Sequence, residues 1–334
     1  MHILIVDPSV IPALKYGGTE RVIWSLGKAL VEQGHQVTYL VKEGSSCNFA
    51  NIQYIDSEKP INQQIPKGID IAHFHIFLED FEKLDIPYVV TMHGNADHFE
   101  SFDSNTIFVS KNHAQRYQSE SFVHNGLDWN DYTKPNLNQK RTHFHFLGKA
   151  SWKVKNLKGA MNIVLKTPKE KLCVLGGKRF SERVLKMGVS KVLTTRVSFQ
   201  GMVSNAQKSI FLNASKGLLF PVIWHEPFGL AIIESLYYGC PVFGTPYGSL
   251  PELITPEIGF LSANSEELTE HLHTKAPALY NPEVCHQYAK EHFNAQNMAL
   301  KYLEKYQIVL DGKTLNSKRP KPIETKPSNI QPFY

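Results

Sequence analysis

The chain has 334 residues, 42 % of them apolar and 20 % charged, with a formal charge of +5 at pH 7. That length exceeds one ordinary core and suits two domains of about 150 residues each. So small a charge does not point to nucleic acid as the main partner, though it leaves room for an anionic ligand or membrane surface. Cys47, Cys173, Cys240 and Cys285 are scattered with no C-x-x-C pair, so neither a disulfide framework nor a zinc ribbon is expected. The opening MHILIVDPSV lacks the basic and apolar regions of a signal peptide. No run approaches the roughly 18 apolar residues of a transmembrane helix. The expected compartment is a reducing cytoplasm, with peripheral contact at the inner membrane face left open.

Short apolar runs alternate with amphipathic ones through the first half. HILIVD (His2–Asp7) reads as a buried strand, followed by the glycine loop YGGTE. Residues 20–34 predict a helix: Val22, Ile23, Leu26, Leu30 and Val31 recur at three- and four-residue steps, and Gly34 sits where a C-terminal cap belongs. Further strands are expected at 35–41, 70–76, 87–93 and 106–111. Strands alternating with helices imply parallel β-α-β units in a doubly wound sheet. Ligands in such sheets sit at the carboxyl ends of the strands.

After the polar stretch 125–142 the pattern restarts. Strands are expected in HFHFLGKAS, KLCVLGG, VSFQGMV, KGLLFPVIW and PVFGTP, and a helix in NLKGAMNIVLKT. The expected domains are 1–140 and 141–290, both Rossmann-like. A closing helix over 291–310, broken near Asn294, is expected to return to the first domain. The tail 311–334 is rich in Pro, Lys and Ser and reads as flexible; its basic charge suits an anionic membrane face.

The chemistry gathers in WHEPFGLAIIESLYYGCPVFGTPYGSLPEL (Trp224–Leu253). Pro227 and Gly229 place a helix start near Gly229, so the backbone N–H groups from Phe228 to Ala231 are unpaired at the positive end of the dipole. Such a helix mouth can receive an anion or a set of hydroxyls. Glu226 precedes the helix, Glu234 lies about two turns in, and Gly239 ends it. A carboxylate pair suits vicinal diols, since each carboxylate accepts two hydroxyl protons. The E-x7-E spacing alone is common by chance; the flanking P-F-G-L, G-C-P-V and G-S-L-P-E give it context. His73/His75 and His143/His145 share strand faces as a metal site would, but no carboxylate or cysteine completes one.

This stretch closely resembles the signature of retaining GT-B glycosyltransferases of family 4 (group 1). GGTERVIWSLGKALVEQGHQVTYL, TMHG, VSK, VHNGLD, FLGKASWKVKNLKGA, LCVLGG, FQGMV, EPFGLAIIE, GSLPELI and IGFL follow in that group's order over roughly residues 1–308. The compact length resembles that of short bacterial members of the avilamycin type. The resemblance implies an α/β fold of two doubly wound domains facing a central cleft, and a retaining, metal-independent hexosyltransferase. The co-substrate would be a nucleotide-diphosphate sugar, UDP- or GDP-linked. The acceptor would be a glycan, a lipid-linked species or a small molecule, as in cell-surface glycan synthesis. No nucleic-acid partner is implied.

Residue by residue, the resemblance implies that Gly17 and Gly18 approach the donor diphosphate. Glu226 would contact donor-sugar hydroxyls with the Phe228, Gly229 and Leu230 amides, and Glu234 would hold the ribose diol. His93 would face the donor sugar near its reacting carbon. The family has an arginine after the first glycine of the second domain and a lysine five residues later. Here Lys149 follows Gly148, and the later lysine is Lys153 or Lys155, with the following Asn156 favouring Lys155. Lysine binds phosphate as a point charge, where arginine grips two oxygens. Ser110, Lys111 and Asn125 match weaker markers, and the base contact is expected from backbone near Gly201–Val203. The stretches HFHIFLED and HGNADHFESF are candidates to line the acceptor surface. With no nucleophile legible for the opposite face, a front-face transfer is expected, with Glu226 as a positioning group and domain closure excluding water. Two other readings stand beside this one: a catalytically degenerate nucleotide-sugar-binding protein, and an epimerase on the same fold. A phosphorylase lacks a pyridoxal lysine motif, and a nicotinamide dehydrogenase lacks G-x-G-x-x-G.

Overall fold

The computed structural model describes residues 1–13, 17–78, 81–96, 101–186, 188, 193–274, 279–324 and 330–334. The chain forms two units: Met1–Trp129 with Phe293–Pro327, and Asn130–His292 with Ser328–Tyr334.

The first unit is built on β1 (His2–Asp7), β2 (Gln36–Val41), β3 (Asn51–Tyr54), β4 (Ile71–Phe74), β5 (Tyr88–Met92) and β6 (Thr106–Phe108). The strands lie in the order β3-β2-β1-β4-β5-β6, all parallel. Ile3, Leu4, Ile5 and Val6 are fully buried, as a central strand covered on both faces requires. The helix Gly18–Glu32 begins and ends two residues before the expected bounds and buries Val22, Ile23, Leu26 and Leu30. The helix Ala295–Leu310 packs against it and against β5. Its start is capped by Asn294, whose Oδ1 accepts from Asn297 N at 2.7 Å, and this cap separates it from the helix Pro282–His292.

The second unit is built on β7 (His143–Leu147), β8 (Leu172–Leu175), β9 (Val197–Phe199), β10 (Ser215–Phe220), β11 (Val242–Gly244) and β12 (Gly259–Leu261). Its order is β12-β11-β10-β7-β8-β9, again all parallel. Counted within each unit, both sheets therefore read 3-2-1-4-5-6. The order reverses beside β1 and β4 in one and beside β7 and β10 in the other. Such a reversal opens a crevice at the strands' carboxyl ends.

Two boundaries differ from the sequence expectation. The second unit begins at Asn130 rather than 141. The polar stretch is tied there by Asn136 N, which donates to Asn213 Oδ1 at 2.8 Å, and by Tyr132, which bonds Glu234. Of the tail expected to be flexible, 311–324 and 330–334 make backbone hydrogen bonds, and 325–329 lie outside the described residues. In the first unit Asn316 N donates to Ser104 O, Phe102 N to Pro320 O, Lys321 N to Tyr117 O and Ile323 N to Arg116 O. In the second, Gln331 N donates to Ile223 O and Tyr334 N to Ala263 O, and Phe333 packs against the core. Composition signals a poor core former; it does not signal backbone pairing with a sheet-bearing unit.

Candidate functional site

In the second unit, the segments after β7 and β10 meet at the sheet reversal. After β7 the chain makes a short 3-10 turn, Lys153–Lys155. Asn156 then adopts the left-handed conformation (φ 53°), which Asn tolerates better than most residues. Its Oδ1 accepts from Gly159 N and its Nδ2 donates to Pro221 O, so it starts the next helix and ties it to the end of β10. Ile223 N donates to Val154 O at 2.9 Å, a second tie between the same segments.

These ties bring Lys155 onto Glu226. The Lys155 Nζ lies 2.8 Å from Oε1 and 2.6 Å from Oε2. Trp224 Nε1 donates to Oε2 at 2.7 Å. The ammonium also lies over the Phe220 and Trp224 rings, at 5.2 and 5.1 Å. The Glu226 backbone is fixed as well: it pairs with Gly248, and Ser249 N donates to Glu226 O. Gly248 has φ 66°, and a Cβ there would lie 2.2 Å from Glu226 N, so only glycine fits. Gly229, at φ 85°, starts the helix Leu230–Tyr237, at the helix start expected from the sequence.

Glu234 is equally enclosed. Lys208 donates to its Oε1, as does Tyr132 OH at 2.8 Å. Lys208 and Glu234 side chains are 3 % and 6 % exposed, which makes this a buried ion pair. Nothing in E-x7-E announces Lys208 or Tyr132. Lys208 sits on a helix whose start is legible as a Ser204–Gln207 capping box, but its partner lies 26 residues on. Trp224 is likewise a partner that the motif does not specify.

The other expected donor residues are placed as follows. Lys149 and Lys153 are exposed, and Lys149 lies over the Trp152 ring at 5.4 Å. Gly201 N donates to Gly177 O, so that backbone donor is already used. Gly17 and Gly18 stand at the start of the helix Gly18–Glu32 in the first unit. The Glu20 carboxylate lies over Gly17, 2.7 Å from where a Cβ would stand. An anion approaching these donors meets a carboxylate in the first turn.

His93 follows β5 in the first unit. Its Nε2 is 2.8 Å from His75 Nδ1, and the two rings stack at 5.1 Å. Burial lowers the His93 pKa to about 4 and holds His75 and His73 well below the usual range, so all three rings are neutral at pH 7. His73 bonds Tyr306 OH and Thr91 Oγ1, each at 2.7 Å. His145 bonds Ser215 and Ser235, and His143 the Phe211 carbonyl. These strand histidines are engaged in protein hydrogen bonds. Among the described residues no cluster of three His, Cys, Asp or Glu is arranged to hold a metal. Ser110 caps the helix Lys111–Arg116 by accepting from His113 N, and Lys111 is its exposed first residue. Asn125 is buried.

His75, Phe77 and Leu78 of HFHIFLED and the described residues of HGNADHFESF line one cavity of about 620 Å³ in the first unit. Its walls include His75, Phe77, His93, Phe102, Asp103 and Arg319. Residues 79–80 and 97–100 of those stretches lie outside the described residues.

Residues 128–292 match the family model described as Glycosyl transferases group 1. The chain is similar in structure to AviGT4, a glycosyltransferase involved in avilamycin A biosynthesis: TM-score 0.73 and 18 % identity, covering 94 % of this chain and 99 % of that one. It is similar also to sucrose-phosphate synthase from Thermosynechococcus elongatus, with TM-score 0.72, 17 % identity and coverage of 93 % and 100 %. The Anabaena HepE protein in complex with UDP and glucose aligns at TM-score 0.67 and 15 % identity, over 92 % and 99 % of the two chains. An uncharacterized 41.2 kDa protein in the cps region of Klebsiella pneumoniae is 28 % identical over 121 residues, 35 % of this chain and 34 % of that protein. The match thus spans about a third of the length of that curated relative. The fold is the GT-B fold of two Rossmann-like units. Together with the matched domain it supports a glycosyltransferase. Among the described residues no helix is long and apolar enough to cross a membrane.

Proposed function

We propose that the protein is a retaining glycosyltransferase that moves a hexose from a nucleotide-diphosphate sugar to an acceptor hydroxyl. The observation that carries this reading is the Lys155–Glu226 pair at the sheet reversal of the second unit, with a helix start beside it. The donor's hydroxyls replace part of the pairing of Glu226, and its diphosphate draws on Lys155, Lys149 and Lys153. The Phe228–Leu230 amides hold the sugar, and Glu234, paired with Lys208, accepts from the ribose diol.

In the transfer step the bond between the anomeric carbon and the phosphate oxygen breaks as the acceptor oxygen bonds that carbon on the same face. The acceptor proton passes to the departing phosphate. Lysine charge and helix dipole stabilise the leaving group, so no bound metal is needed. UDP- or GDP-linked donors are favoured, and His93 stands on the acceptor-side unit. Cell-surface glycan synthesis at the cytoplasmic membrane face is the proposed setting, in keeping with the basic tail. Activity should persist in chelator, and NMR of the product should show the donor's anomeric configuration. An inverted product, or a strict requirement for divalent metal, would overturn this reading.

A further inference from the structure

We propose that the first-unit cavity selects an acidic sugar, whose carboxylate or phosphate is gripped by Arg319. The inference rests on the transferase reading only in calling that sugar the acceptor. The cavity, about 620 Å³, has room for a sugar residue and its neighbour. Phe77 and Phe102, with ring centroids 5.0 Å apart, give it an aromatic wall on which a sugar's C–H face can lie.

The polar lining is asymmetric. The His75 and His93 rings are neutral. His75 is 8 % exposed, and its Nε2 is buried with no hydrogen-bond partner among the described residues. The one acid among the described lining residues is Asp103, and both its oxygens are used: Oδ2 accepts from Tyr88 OH at 2.9 Å and Oδ1 from Asn105 N at 2.7 Å. Arg319 is exposed and forms no ion pair among the described residues.

Arg319 is also held in place. Asn316 N bonds Ser104 O on one side of it, and Pro320 O and Lys321 N bond Phe102 N and Tyr117 O on the other. The pinned backbone fixes where the Arg319 side chain leaves the chain, beside the cavity. The guanidinium presents a planar fork that matches the two oxygens of a carboxylate or phosphate.

The test measures binding of methyl glucuronide, glucose 6-phosphate and methyl glucoside to the full chain by ligand-observed NMR, with binding of UDP, GDP, ADP and dTDP measured on the same samples. Either charged sugar should bind more tightly than methyl glucoside, and which one does identifies the oxyanion. Arg319→Gln should weaken the charged sugar about tenfold or more and leave methyl glucoside unchanged. Arg319→Lys should retain part of the preference, and Phe77→Ala should weaken all three sugars. Equal binding of charged and neutral sugars, or a preference untouched by Arg319→Gln, would overturn the proposal. No charge preference in the wild-type protein, alongside binding of one of the nucleotides, sinks this proposal alone. An Arg319-dependent preference with no binding of UDP, GDP, ADP or dTDP sinks the transferase reading and leaves an acidic-glycan site.

Discussion

Lys155 holds both oxygens of Glu226, at 2.8 and 2.6 Å, where the second sheet reverses its strand order. Their side chains are 13 % and 6 % exposed, so each charge depends on the other. Removing one partner of such a pair costs about 3 kcal/mol, because the other is left buried and unmatched. Lys155→Met and Glu226→Gln should each lower stability by that amount in urea denaturation. The double variant should fall well short of their sum. Additive losses would mean that the two side chains act independently.

The Glu234 network separates into a charge and a hydrogen bond. Tyr132→Phe removes one neutral donor to a carboxylate and should cost about 1.5 kcal/mol. Lys208→Met removes the buried counter-charge and should cost about twice as much. If Glu234 accepts from a ribose diol, Lys208→Met should also narrow the difference in affinity between UDP and 2′-deoxy-UDP. Calorimetry on both ligands checks this; an unchanged difference would make Lys208 purely structural.

Gly248→Ala puts a methyl group 2.2 Å from Glu226 N and asks alanine to hold φ 66°. The loop must shift, at a cost of about 2 kcal/mol. Because Glu226 moves with it, nucleotide-sugar binding should weaken more than stability alone accounts for. Alanine at Gly44, where φ is 93° but nothing lies within 4 Å of a Cβ, is the control: strain without displacement of Glu226.

Acid should weaken the first unit through its neutral histidines. His113 is 1 % exposed, and burial, helped by the Arg116 charge, lowers its pKa to about 3. The unfolded chain binds this proton near pH 6.5, so stability is full above that value. It falls as pH drops from 6.5 towards 3. Each such ring should cost about 2 kcal/mol between pH 7 and pH 5. His113→Phe should reduce the pH 7 to pH 5 difference in unfolding free energy by about that amount. An unchanged difference would show that His113 is protonated in the folded protein.

What was legible in the sequence follows from what each residue must do locally. Ile3 to Val6 announce a central strand because burial on both faces demands an unbroken apolar run. The edge strand β3, NIQY, carries no such run, since none of its residues is fully buried, and its sequence does not announce a strand. Gly229 marks the helix start because it takes a backbone conformation that side chains disfavour. Lys208, Tyr132 and Arg319 were not legible as site residues. Their roles arise from contacts made across many residues of sequence. The tail's composition describes its solvation and not the backbone partners at Phe102, Arg116 and Tyr117.

The most direct test of the central claim is thermal denaturation of the wild-type protein with UDP-, GDP-, ADP- and dTDP-sugars, with and without chelator. Lys155→Met is run beside it against its own ligand-free baseline. One class of donor should raise the wild-type midpoint, chelator should leave the shift intact, and Lys155→Met should abolish most of it. No shift with any donor, or an equal shift in Lys155→Met, would mean that the Lys155–Glu226 pair does not bind a nucleotide sugar.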